Sequence, residues 1–377
     1  MTDWNSVREE YPIFKERIYL QTHSGGPVTT GLIQETNRLL TELGLWGGDI
    51  CEQWDREVEA TRAELAGYLG VSTEETAFIT STTMAMNIMA YTFPNDHRIL
   101  TFKDDFPNSF LPWLHQGFEI DYVDSDEQGK IHLADVEAAI TADTKILISS
   151  DVMYRTGFRQ DLQKLGAICK ERGILFIVDA TQSFGVLPID IQACGIDILM
   201  FHAYKWLSAG FGIGGMYVRK ALLSSIRKPF IGFFNVKYPG YPANASDILI
   251  NEDASAYELG KTPYLNILMF RFMLKRFSEM GTEAISARVK ELGSYFVLKC
   301  KEHQLILVSD FAEEHRSGIF NIKAPGITKA ELSAQHIIAR AAHGVISLAI
   351  SFYNNEADID TFLNYLVSRK PSSVASK

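Results

Sequence analysis

Short apolar, β-branched runs alternate with helical patterns through the first two thirds of this 377-residue chain. That alternation restricts the fold to a sheet layered between helices. The runs are Thr76 to Thr80, Arg98 to Phe102, Phe118 to Asp124, Thr144 to Val152, Ile174 to Ala180, Asp197 to Tyr204 and Gly214 to Arg219. Helical patterns lie between several of them, such as Asp161 to Arg172, which stops at Gly173, a residue suited to the left-handed position after a helix. Strands that are nearly continuous in apolar residues predict a mostly parallel sheet covered on both faces, and the expected fold class is α/β.

Two of these runs end in a lone ionisable residue, Asp179 and Lys205, and Gly-rich sequence follows the second. Desolvating an unpaired charge costs several kcal/mol, so buried strands rarely finish this way. Open α/β sheets, however, bind ligands just beyond the carboxyl ends of their strands. An acid and a lysine delivered there suit pyridoxal 5'-phosphate. Its aldehyde condenses with a lysine amine, and an aspartate keeps its ring nitrogen protonated so that the ring serves as electron sink.

The other parts are each open to a plainer reading. Ser81, Thr82 and Thr83 sit between a strand and the helical run Met84 to Tyr91, which suits either an anion cradle or a simple helix cap. Gln182 is placed to reach a phenolic oxygen on the ring, or is a turn glutamine. Lys205 is the cofactor lysine, or a surface lysine lying along Trp206. The glycines after it, in Leu-Ser-Ala-Gly-Phe-Gly-Ile-Gly-Gly, would let backbone approach a ligand closely.

Beyond about residue 265 the pattern changes. A long amphipathic region, 265–304, leads to a strand from Gly318 to Lys323, then a helix at Thr328 with Glu331 at capping-box spacing. The strand Val345 to Phe352 and a last helix after Asn354 and Asn355 follow. We expect a segment 1–20 packing with a small α+β domain, a large domain over 21–260, and the small domain over 261–377. Phe230 to Pro242 joins the two, and Lys370 to Lys377 is a polar tail.

Taken together, these stretches resemble the class V aminotransferase superfamily of fold type I pyridoxal phosphate enzymes. It includes cysteine desulfurases, selenocysteine lyases, kynureninases and isopenicillin N epimerase-like proteins. The resemblance covers nearly the whole chain: Ile18 to Pro27 at the N-terminal active-site loop, Ser81 to Asn87 at the phosphate turn, and the Asp179, Gln182, Lys205 core. It implies cofactor contacts from Ser81, Thr82, Thr83, Phe106, Tyr154, Asp179, Gln182, His202, Tyr204, Lys205 and Thr262, with Lys205 catalytic. It also implies a homodimer with shared active sites, since Tyr257 to Pro263 is similar to the segment that reaches the neighbouring subunit's phosphate. His23, Ser24, Arg155 and Arg316 are the substrate-binding expectations. Phe352 to Asp360 is similar to the closing motif.

Departures from the family bear on the reaction. Phe106 stands where a histidine often stacks on the ring; it stacks but moves no proton. His202-Ala-Tyr204 and Val152 to Gly157 are similar to the kynureninase versions. Desulfurases need a mobile cysteine, whereas Cys300 lies in an amphipathic run among core-like neighbours, so persulfide chemistry is disfavoured. Ser347 stands about six residues before Tyr353, where the family places a carboxylate-binding arginine. Arg316, Arg155 and Arg159 are the replacements weighed, with Arg316 favoured because it leads into a strand that should run beside Val345 to Phe352.

Bulk properties narrow the classes. A net charge of -10 argues against nucleic acid as partner. No run approaches the roughly 18 apolar residues of a membrane helix, and Met1 to Glu10 has no signal-peptide pattern. Cys51, Cys169, Cys194 and Cys300 are scattered, without metal-site spacing. The expected location is cytoplasmic, with no metal and no membrane partner. A Rossmann enzyme would need Gly-x-Gly-x-x-Gly after the first strand, and a non-catalytic cofactor-binding protein is supported only by the lost arginine. The expectation is a lyase acting through a carbanion at Cα of a small amino acid or amine. Aminotransferase and epimerase are the alternatives.

Overall fold

Every expected strand of the large sheet forms, most of them shortened at the ends, in a computed structural model that describes residues 2–237 and 244–369. Part of the joining stretch Phe230 to Pro242 and the polar tail lie outside the described residues. The strands are β1 (Thr76–Ile79), β2 (Arg98–Phe102), β3 (Ile120–Val123), β4 (Thr144–Ser150), β5 (Leu175–Asp179), β6 (Ile198–His202) and β7 (Gly214–Val218). They pair in the order β1-β7-β6-β5-β4-β2-β3, all neighbours parallel except β7, which is antiparallel to both β6 and β1.

Strand residues alternate between two cores. Leu100, Leu147, Phe176, Val178, Leu199 and Phe201 face one, and Ile99, Ile146, Ile148, Ile177, Ile198 and Met200 face the other. Burial on both faces explains why the sequence shows continuous apolar runs, each fully buried side chain contributing about 1.5–3 kcal/mol. Gly214 and Gly215 belong to this packing and not to a ligand loop. A Cβ at Gly214 would lie 2.1 Å from the Phe201 carbonyl oxygen, and one at Gly215 would lie 2.5 Å from the Phe201 ring.

Helices α1 (Thr30–Trp46), α2 (Cys51–Leu69), α3 (Thr82–Thr92) and α4 (Leu162–Arg172) cover the sheet. The 265–304 region is two helices, α5 (Tyr264–Met280) and α6 (Thr282–Glu302), separated at Gly281, whose φ of +82° is left-handed. Although the expected boundary at 261 assigns α5 to the C-terminal domain, it packs on α1 and α2, with Arg271 on Glu64 at 2.8 Å.

The C-terminal unit is a sheet of β8 (Ile319–Lys323), β9 (Arg340–Ala342) and β10 (Val345–Ala349) in the order β8-β10-β9. Its core packs on α6, α7 (Lys329–Ala334) and α8 (Glu356–Ser368). The N-terminal segment joins this unit: Ile18–Tyr19 pairs in parallel with Ile337–Ile338, and Arg8 binds Asp358 at 2.7 Å. Among the described residues no helix is long and apolar enough to cross a membrane, and no group of His, Cys, Asp or Glu is arranged to hold a metal.

Candidate active site

Parallel strands deliver their last residues to one edge of the sheet, and β4, β5 and β6 end there in Ser150, Asp179 and His202. A cavity of about 200 Å³ opens at this edge, lined by Thr82, Thr83, Phe106, Asn108, Ser150, Tyr154, Asp179, Thr181, Gln182, His202, Tyr204 and Lys205. The structure thus brings together nine of the residues expected from the sequence and adds Asn108, Ser150 and Thr181.

Asp179 is buried and accepts from the Thr181 backbone N–H at 2.8 Å. Burial raises its pKa, opposed by the Thr181 contacts and by Lys205. Burial pushes the Lys205 amine down to about 8, opposed by Asp179. The Lys205 Nζ lies 5.9 Å from the centroid of Phe106 and 5.7 Å from that of Tyr204, so the amine faces a wall of rings. Phe106 meets Tyr154 edge-on at 5.1 Å. Behind this wall the buried Asp105 accepts from Ser150 N–H at 2.8 Å, and burial lifts its pKa to about 6.

His202 links strand and helix. Its Nε2 accepts from the Thr82 N–H at 3.2 Å at the start of α3, which places the ring proton on Nδ1. Among the described residues that Nδ1 is buried without a partner, and burial, aided by Lys205, lowers the ring's pKa to about 4. The ring is therefore a neutral donor beside a helix N-terminus. Thr83 accepts from the Asn108 amide. Ser81 serves as the helix cap: its hydroxyl accepts from Met84 N–H at 3.0 Å, and it does not line the cavity.

Gln182 is held on both sides, accepting from Trp206 Nε1 at 3.0 Å and donating to the His23 carbonyl at 3.1 Å. Its second amide N–H is left for a ligand. His23 is buried with both ring nitrogens unpaired among the described residues, and burial together with Lys205 and Arg340 lowers its pKa to about 3. Ser24 is exposed at the adjoining turn. Gly26 presses on the lysine loop: its N–H donates to the Tyr204 carbonyl at 2.8 Å, and a Cβ there would meet the Lys205 carbonyl oxygen at 2.1 Å.

Arg155 is exposed at the mouth, its Nη2 donating to the Tyr154 hydroxyl at 3.3 Å. Arg316 is not brought to the cavity. Its guanidinium donates to the Phe311 carbonyl at 2.9 Å, and its side chain lies beside Gly293 of α6 together with Phe320. Strand alternation is the cause, since Arg316 is in phase with Phe320 and Ile322, which face α6. Arg159 is held by the Pro188 carbonyl at 2.7 Å. Thr262, just before α5, does not line the cavity within one chain. No cysteine lines it either; Cys300 is fully buried in the C-terminal core, where burial pushes its thiol up to about 12.

Comparison with known proteins bears on the chain as a whole and on its fold. Residues 48–362 match the family described as aminotransferase class V. A probable cysteine desulfurase of Pyrococcus abyssi is 21% identical over 96% of each chain. Among solved structures, the apo cysteine desulfurase of Thermococcus onnurineus NA1 superposes with a TM-score of 0.88 at 20% identity, covering 98% of each chain. A cystine C-S lyase in complex with cysteine persulfide gives 0.88 at 17% identity, covering 96% of this chain and 100% of the other. A variant of that lyase carries glycine covalently linked to its pyridoxal phosphate.

Proposed function

The chain belongs to the class V aminotransferase family, and from that premise we propose that it is a pyridoxal phosphate-dependent lyase acting at Cα or Cβ of a small amino acid without a persulfide-carrying cysteine. The observation that carries this reading is the juxtaposition of Asp179 and Lys205 at adjacent strand ends, facing a cavity whose far side is His202, Thr82 and Thr83. The residues fit the cofactor. The unpartnered Nδ1–H of His202 and the start of α3 suit a phosphate, and the buried Asp179 carboxyl suits a protonated ring nitrogen.

When bound, pyridoxal phosphate supplies an electrophilic aldehyde and a ring that withdraws electrons from Cα. Around it, Asp179 would hold the ring proton, Phe106 would pack against the ring and Gln182 would donate its second amide N–H to the phenolic oxygen. Lys205, lowered to about 8, has an appreciable neutral fraction at pH 7, so its Nζ can take and return a proton at the substrate Cα. Phe106 carries no titratable group and leaves that transfer to the lysine. The burial of Cys300 in the C-terminal core supports a reaction without a persulfide cysteine.

A homodimer completes the reading. Phe211 is 75% exposed and Phe233 64% exposed in the single chain, aromatic surface suited to a second copy. In that assembly Lys261 or Thr262 reaches the partner's phosphate. A monomer in solution scattering that keeps cofactor and activity would contradict this.

The test of the main reading is direct. Borohydride treatment of the cofactor-loaded protein should fix the cofactor's mass to Lys205; labelling at another lysine, or none, would refute it. The relatives make L-cysteine the first substrate to try. Elimination would give pyruvate, ammonia and sulfide, whereas alanine with a sulfur-loaded cysteine would contradict the lyase assignment.

A further inference from the structure

In the C-terminal sheet Ser347 of β10 stands opposite Asn321 of β8 on one side and opposite Arg340 of β9 on the other. Residues directly opposite in antiparallel strands project from the same face. Ile346, Leu348, Phe320 and Ile322 are buried on the other face, in the core with α6 and α8. Asn321, Ser347 and Arg340 thus form one row on the face turned to the large sheet, on which Ile319 and Ala349 join the large core.

Both ends of the row meet the cavity's surroundings. Asn321 Nδ2 donates to the Arg155 carbonyl at 2.9 Å, next to Tyr154 in the cavity wall. At the other end, the charge of Arg340 acts on His23, which Lys205 also faces. Ser347 is half-buried and short, so an arginine on the next strand can lie across it. Arg316 and Arg159 are committed to backbone carbonyls and Arg155 to a tyrosine hydroxyl. Among the described residues no carboxylate or other acceptor engages the exposed guanidinium of Arg340.

We propose that Arg340 holds the carboxylate of the amino-acid substrate, filling from the neighbouring strand the role left open by serine at 347. The assignment rests on the functional reading above. It makes the site selective for amino acids over amines, because a carboxylate entering a partly desolvated cleft needs a paired cation and a guanidinium binds it through two parallel hydrogen bonds.

Spectral titration of the cofactor-loaded protein with L-cysteine and with cysteamine, which differ only in the carboxylate, tests this. The wild type should bind L-cysteine more tightly. Arg340→Ala should weaken L-cysteine by about tenfold to a hundredfold, the range for a lost charged hydrogen bond, and leave cysteamine unchanged. Unchanged cysteamine affinity also shows that the variant is folded. The double variant Arg340→Ala, Ser347→Arg should restore the preference for the acid. An unchanged ratio in Arg340→Ala, loss of the ratio in Arg155→Ala instead, or a wild type that responds equally to both compounds or to neither would overturn the assignment. Absence of any cofactor adduct at Lys205 would defeat the functional reading itself, and this assignment with it.

Discussion

The Lys205 amine is held down at about 8 by burial and pulled back up by Asp179, so replacing Asp179 by Asn has a predictable sign. At pH 7 about one in ten of these amines is neutral, against about one in three thousand for an ordinary lysine, an advantage of roughly 300-fold. Competitive acylation of the cofactor-free protein at limiting reagent, read by peptide mass spectrometry from pH 6 to 10, measures that fraction. Shielding by Phe106 and Tyr204 scales the rate equally at every pH, so the inflection is the readout. Wild type should inflect near pH 8, and Asp179→Asn should inflect lower, because the anion that favours the charged amine is gone. The histidines nearby, at about 3 and about 4, are neutral throughout this range. The same value sets a stability trend. The folded-state pKa lies below that of the unfolded chain, so folding releases this proton between about pH 8 and 10.5, and stability should rise with pH across that window. The penalty is fully present below the window and gone above it; its ceiling is about 3 kcal/mol, reduced by the amine's partial exposure. An inflection above pH 10, or an upward move in Asp179→Asn, would refute the argument.

Two further outcomes follow from packing. Gly26→Ala places a Cβ 2.1 Å from a backbone oxygen that cannot rotate away; it should cost about 1–3 kcal/mol in urea unfolding and weaken cofactor retention. Stability and retention equal to wild type would show that the loop yields freely. Cys300→Ser should leave turnover within a few-fold of wild type while lowering stability by about 1–3 kcal/mol, because a hydroxyl enters an apolar core. Lost turnover in a folded Cys300→Ser protein would reinstate that thiol in the chemistry.

The strands and the polar residues at their ends were legible because burial on both faces leaves an uninterrupted apolar run, against which Asp179 and Lys205 stand out. Local caps were legible as well. Asp161 and Gly173 bound α4, and Thr328 with Glu331 makes the expected capping box. Less accessible was anything that depends on which strands meet and in what register. Arg316 does precede a strand that pairs with β10, but its phase along that strand turns it to α6. Arg340 was passed over because its relation to Ser347 exists only once β9 folds back beside β10. Asn108 and Ser150 gave no signal by type; one lies two residues beyond Phe106, the other falls inside the expected strand Thr144 to Val152.

The tie between the beginning and the end of the chain also sets an order of assembly. Residues 18–20 pair with 337–338 and with Ala349, and Gly26, a few residues on, packs against the lysine loop. At a synthesis rate of about 5–20 residues per second, the partners of residues 18–20 are made about 16–65 seconds after those residues. The large sheet, complete by Val218, is therefore synthesised well before its N-terminal strap has a strand to join. The strap cannot make these pairings until residues 337–349 exist, long after the sheet and the lysine loop that Gly26 packs against have been synthesised.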